Sequence, residues 1–145
     1  MKDLLYLKDD QIKEFIEHIF YAYRETYSDP KKILKKHSFG TAHHRAIHLI
    51  ERNIGITISD LLKKLKITKQ SLNRVIRDLI KNKTIYIKKG EIDARQRQVF
   101  LNEKGKKLFD EIFHEQKKRI YNALKNSDSD SVIKFKNVLQ KIINE

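Results

Sequence analysis

Thr68-Lys69-Gln70-Ser71-Leu72-Asn73-Arg74-Val75-Ile76-Arg77-Asp78-Leu79-Ile80-Lys81-Asn82 decides the fold. Leu72, Val75, Ile76, Leu79 and Ile80 recur at i, i+3, i+4, i+7 and i+8, the period of one helical face. Thr68 stands where an N-cap hydroxyl is wanted. With the apolar stripe turned inward, Lys69, Gln70, Asn73, Arg74, Arg77 and Lys81 must face out, with Ser71 near the start. Asn and Gln match the major-groove edge of adenine and Arg matches that of guanine. These groups crowd the N-terminal half, the end with which a recognition helix meets base edges. An ordinary amphipathic helix with a polar outside is the plain alternative. The single acid on this helix, Asp78, counts against it.

Upstream, Ser59 and Asp60 open a shorter helix with Leu61, Leu62 and Leu65 inward, and Lys66-Ile67 closes it. Two short helices joined by a tight turn form a helix-turn-helix. Ile56-Thr57-Ile58 before them predicts a brief strand. Downstream, the period falls to two. Ile85 and Ile87 alternate with Tyr86 and Lys88, Gly90 marks a turn, and Val99 and Leu101 resume the alternation. The spacing predicts a two-stranded hairpin over 84–101 with a charged tip. A helix-turn-helix followed by a basic hairpin is a winged-helix arrangement. On that tip, Asp93 stands two residues before Arg95 and can aim its guanidinium. An aimed Arg on a thin hairpin suits the negative potential of a narrow minor groove. A solvated turn is the equally simple alternative.

Longer helices flank this region. Ile12, Phe15, Ile16, Ile19, Phe20, Tyr23 and Tyr27 form one face of a helix over 10–27, ended by Ser28-Asp29-Pro30. Residues 31–37 read as a basic connector. Ser38 or Thr41 caps a helix to about Arg52 with Ala42, Ala46, Leu49 and Ile50 inward, stopped at Asn53-Ile54-Gly55. Asn102 caps a helix to about Leu124 with Leu108, Ile112, Phe113, Ile120 and Leu124 inward. A last helix, 131–143, carries Val132, Phe135, Val138, Leu139, Ile142 and Ile143. One small winged-helix core cannot cover all these faces. Packing the first helix against the last two across two subunits buries the remainder, whereas a monomer must fold them onto itself.

The charge agrees. The 145 residues carry a formal net charge of +13, and residues 57–101 hold 12 of the 32 Lys/Arg but only 4 of the 19 acids. A basic segment within a foldable region is the footprint of a polyanion binder. Cysteine is absent, which excludes disulfides, thiolate metal sites and thiol oxidation as a trigger. No apolar run approaches the roughly 18–20 residues of a membrane span, and Asp9 and Asp10 follow the first apolar patch too closely for a signal peptide. The expectation is a cytoplasmic protein away from membranes.

The sequence resembles the MarR family of winged-helix transcription regulators. Gly55-Ile56-Thr57-Ile58-Ser59-Asp60-Leu61-Leu62 is similar to the family's entry into its DNA-binding region. Residues 67–79 are similar to its recognition helix, and Asp93-Ala94-Arg95-Gln96-Arg97-Gln98-Val99-Phe100-Leu101-Asn102-Glu103-Lys104-Gly105 to its wing and the following helix start. The pieces run in order across about 50–110. There are departures: Ala94 replaces a frequent Arg, Lys83 stands where Gly usually ends the recognition helix, so that Asn82 is expected to supply the left-handed turn, and Asn102 replaces Thr.

The resemblance implies a mainly α (α+β) fold: one domain over 1–145, a winged helix-turn-helix over 55–101, and dimerisation helices over 10–37 and 102–145. It implies a homodimeric, ligand-responsive regulator that binds a pseudo-palindromic operator and acts as a repressor. Thr68, Lys69, Gln70, Ser71, Asn73, Arg74 and Arg77 are the expected major-groove residues. Lys88, Lys89, Asp93, Arg95 and Arg97 are the expected wing residues, with double-stranded DNA the partner. It also implies a small, aromatic, anionic effector, for which Tyr23, Tyr27, Phe39, His44, Arg45 and His48 are the candidate lining. A winged helix used for protein or RNA contacts is the rival reading.

No cofactor or metal is expected. His44 and His48 are four apart, but zinc needs further ligands, and the sequence selects none among Asp29, Glu51, His18 and His114. A metal-responsive regulator built on this His cluster is the weaker alternative. An enzyme is not expected: the four glycines are scattered, and His44-Arg45-Ala46-Ile47-His48 lacks the Glu of a zinc-protease helix.

Overall fold

The computed structural model describes residues 4–144. After a 3-10 turn at Leu5–Leu7 the order is α1 (Asp9–Ser28), α2 (Lys31–Lys36), α3 (Thr41–Arg52), α4 (Ile58–Leu65), α5 (Lys69–Lys81), β1 (Ile85–Lys89), β2 (Arg97–Leu101), α6 (Glu103–Lys125) and α7 (Ser129–Ile143). The fold is mainly α with one antiparallel hairpin, as expected. Two compact units form: a central one over Asp29–Phe113, and a terminal one made of the described residues up to Ser28 and from His114 on.

The central unit has the apolar core. Leu61 and Leu65 of α4, Leu72, Val75, Ile76 and Leu79 of α5, Ile85, Val99 and Leu101 of the hairpin, and Leu108 and Ile112 of α6 are buried with Ala46, Ile47 and Ile50 of α3. Ile85 pairs with Leu101 and Ile87 with Val99, so the inner hairpin face joins this core. Thr57 and Thr68 cap α4 and α5 by accepting from the Asp60 and Ser71 amides, each at 3.1 Å. Lys66 takes a left-handed conformation (φ 51°) between the two helices and makes the turn tight.

Several local expectations change. Residues 31–36 are helix α2 rather than a connector: Pro30 sits at the N-cap, where its fixed φ suits a helix start, and Leu34 is buried. The cap of α3 is neither Ser38 nor Thr41 but Gly40, whose amide donates to His43 Nδ1 at 3.0 Å. The inner face of α3 is rotated toward His44, Ala46, Ile47 and Ile50, leaving Ala42 and Leu49 at its margin. The strand at 56–58 is a single bridge, Thr57 to Gln98, because α4 already starts at Ile58. Ile80, placed in the inward stripe, is 47% exposed. Lys83, not Asn82, takes the left-handed turn (φ 60°).

In the terminal unit, Gln116 is buried and donates to the Thr26 carbonyl at 3.0 Å. Neither α1 nor α7 buries a single described residue within the chain. Ile16, Phe20, Phe135 and Ile142 are all more than half exposed, and the expected inward Ile120 and Leu124 of α6 are exposed as well. Phe113, the last residue of the central unit, is likewise exposed.

Candidate nucleic-acid interface

The inward stripe fixes the rotation of α5, and its opposite side is open. Thr68, Lys69, Gln70, Ser71, Asn73, Arg74 and Arg77 are all exposed on α5 and its cap. Thr68 Oγ1 also donates to Ser71 Oγ at 2.9 Å, which orders the helix start. The N-terminal turn of α5 contains no acid, so its unpaired amides and positive dipole end are not opposed by a carboxylate. Lys81 follows one further turn along.

The wing is a built loop. The Gly90 amide donates to the Gln96 carbonyl at 2.9 Å, and the Gln96 amide to the Asp93 carbonyl at 3.0 Å. Gly90 permits that closure: a Cβ there would lie 2.6 Å from the Asp93 carbonyl oxygen. Asp93 takes three contacts from Arg95: the backbone amide to Oδ1 at 3.0 Å, Nε to Oδ1 at 3.2 Å, and a terminal nitrogen to Oδ2 at 3.3 Å. The side-chain contacts, then the amide, hold the Asp93 carboxyl below its ordinary range, so the pair is ionised at neutral pH. The Arg95 side chain is still 92% exposed. Its guanidinium is therefore aimed without being sequestered. Lys88, Lys89 and Arg97 are exposed on the strands below. Gln98 ties β2 to the loop before α4 by donating to the Gly55 carbonyl at 3.1 Å.

The residues expected around an effector divide between the units. Tyr23 and Tyr27 lie in the terminal unit, their ring centroids 4.6 Å apart. Phe39, His44, Arg45 and His48 lie in the central unit. Phe39 is buried between the rings of His37 and His43, at 5.6 and 4.7 Å, so it packs as a core ring. His44 is buried in the core as well. Burial first, and then the Arg52 charge, lowers the His48 pKa, so this imidazole is neutral at neutral pH and supplies no positive charge. Arg45 is the cation of the set, and its Nε is buried without a hydrogen-bond partner. Among the described residues no group of three or more His, Asp or Glu is placed to hold a metal ion.

Sequence reasoning singled out the histidines but missed what His43 does. Its Nε2 lies 2.8 Å from Asp78 Oδ2 on α5. The two residues are 35 positions apart, and no local signal joins them.

Residues 37–96, which hold α3 to the wing, match the MarR family. The HTH-type transcriptional regulator PetP of Rhodobacter capsulatus is 41% identical over 140 residues, covering 97% of this chain and 84% of that protein. The chain belongs to the MarR family. A MarR transcriptional regulator from Methanosarcina mazei superposes with a TM-score of 0.72 at 27% identity, over 90% of this chain and 94% of that one. NadR, solved with 4-hydroxyphenylacetate, gives a TM-score of 0.77 at 20% identity over 99% of both chains, a likeness of fold. This MarR-family chain is a transcriptional regulator of the helix-turn-helix type.

Proposed function

We propose that the chain binds double-stranded DNA sequence-specifically as a homodimer on a pseudo-palindromic operator, and that it represses by occupying that site. The observation that carries this reading is the two-sidedness of α5. Leu72, Val75, Ile76 and Leu79 lock it to the core, while Lys69, Gln70, Asn73, Arg74 and Arg77 stand exposed together. A rigid helix presenting such groups reads base edges in a major groove. Arg95, aimed by Asp93, reaches the adjacent minor groove.

The dimer reading rests on the terminal unit. Two helices with apolar faces and no buried residue need a partner surface. A second copy supplies one and sets two recognition helices about one turn of duplex, roughly 10 bp, apart. An effector that alters the spacing of the two heads releases DNA, because both half-sites must engage together. A small aromatic anion fits this role. Arg45 offers a buried, unpaired guanidinium nitrogen, and the similar protein NadR was solved with 4-hydroxyphenylacetate. A regulator of this kind works in the cytoplasm, where the DNA is.

Selection of bound sites from a random duplex pool tests the whole reading. A two-fold-symmetric motif is expected. Enrichment of nothing, or equal binding to every duplex at moderate salt, overturns it and favours a module for protein or RNA contacts. Arg95→Ala should weaken binding to specific and scrambled duplexes alike. It should also reduce the slope of log affinity against log salt by about one per subunit. The fold should be unaffected, since the side chain is exposed. An unchanged affinity and slope would remove Arg95 from the interface.

A further inference from the structure

α5 carries four cations, Lys69, Arg74, Arg77 and Lys81, and one acid, Asp78. An acid on a helix that approaches a polyanion is a liability in two ways. It repels phosphate, and it competes for the nearest guanidinium. Arg74 lies four residues before Asp78 and Lys81 three after it, the spacings at which helical side chains pair. Neither pairing forms. Arg74 and Arg77 make no ion pair or side-chain hydrogen bond among the described residues. Asp78 is turned instead toward α3, where His43 meets it at 2.8 Å.

His43 is held for this contact from two directions. The Gly40 amide donates to Nδ1 at 3.0 Å. That makes Nδ1 an acceptor and puts the ring proton on Nε2, the nitrogen facing Asp78 Oδ2. The Phe39 ring stacks on the imidazole at 4.7 Å and an interplanar angle of 13°. The His43 side chain is largely buried, at 14% exposure, whereas Asp78 is 41% exposed beside an open cavity of about 400 Å3. Among the described residues only His43 pairs with that carboxylate: Lys81 and His37 line the same cavity, but His37 Nδ1 faces Asn82 Oδ1 at 3.3 Å.

We propose that His43 is a positioning residue for the recognition surface: it captures the one carboxylate of α5 and so keeps the Arg74 guanidinium available to DNA. This deepens the DNA-binding reading above and rests on it. His43 touches no DNA. It acts through Asp78, and its loss matters because the freed carboxylate swings to Arg74.

A double-mutant cycle isolates this effect from lost packing, using the duplex enriched by the wild-type protein and a scrambled one. His43→Ala should weaken binding to the enriched duplex about fourfold, two subunits each losing about a twofold share. Adding Asp78→Asn should restore nearly all of that loss, whereas Asp78→Asn alone should change affinity by less than about twofold. Both His43→Ala proteins lack the same ring, so a purely structural role predicts no rescue. Equal effects of Asp78→Asn in the two backgrounds, or an unweakened His43→Ala, overturn the proposal. If His43→Ala unfolds, His43→Asn takes its place: its short amide can still accept from Gly40 but cannot reach Asp78. A wild-type protein that enriches no duplex fails the DNA-binding reading itself, a result distinct from either.

Discussion

Arg74→Ala should cost the protein its discrimination between the operator and a scrambled duplex. The side chain stands one turn after Gln70 and three residues before Arg77, on the exposed side of a helix whose rotation Leu72, Val75, Ile76 and Leu79 fix. A guanidinium held there is suited to the O6 and N7 of guanine. Loss of one such bidentate contact costs about 1–3 kcal/mol, or roughly five- to 150-fold per half-site. A symmetric dimer incurs that loss twice. Stability should barely move, because Ala is the best helix former and the position is exposed. Titrations of both duplexes at one salt concentration give the result. Specific affinity should fall far more than scrambled affinity. Equal falls would place Arg74 on a phosphate, and an unchanged ratio would remove it from base readout.

That prediction could be written from the sequence because α5 is over-determined. A capping Thr, a sustained 3.6-residue period and a nearly acid-free outer side all agree, and the structure keeps each save the last position of the stripe, Ile80. The wing was legible for similar reasons: alternation in both strands, a glycine at the tip and an Asp-x-Arg pair close in sequence. Elements decided by distant neighbours were less legible. Helix α2 has only Ile33 and Leu34 among four lysines, and its existence depends on the pocket that receives Leu34. The face of α3 rotated because a polar residue, His44, is buried, contrary to the usual preference of its type. Lys83 accepts a left-handed backbone that costs about 1 kcal/mol or more for a residue with a Cβ. The surrounding bonds over-determine it: the Lys83 amide donates to Ile80, the Thr84 amide to Leu79, and Asn102 Nδ2 to the Lys83 carbonyl at 2.6 Å. Asn102 is 19 residues away from Lys83, so a local reading could not include its contribution.

The same junction makes Gly105→Ala the substitution expected to damage stability most. Gly105 is the third residue of α6, and its amide donates to Asn102 Oδ1 at 2.8 Å. A Cβ at this position would run into the Thr84 carbonyl oxygen. Neither side can give easily. That carbonyl accepts the Asn102 amide at 3.1 Å, and Thr84 is buried with its hydroxyl donating to Leu79 at 2.9 Å. Relief requires α6 to move away from the end of α5, which breaks the Asn102 bonds and opens the core around Leu101 and Leu108. The expected cost is about 3 kcal/mol, at the upper end of overpacking effects. For a chain of this size that lowers the Tm by about 10 °C at fixed protein concentration. Gly40→Ala is the matched control, because a Cβ there has nothing within 4 Å. It should cost less than about 1 kcal/mol, the difference between Gly and Ala as a cap. Calorimetry of the two variants side by side decides the matter. Equal melting temperatures would mean that α6 is not seated against Thr84. A selective fall for Gly105→Ala should bring a loss of DNA affinity with it, since Thr84 leads directly into the strand that carries the wing.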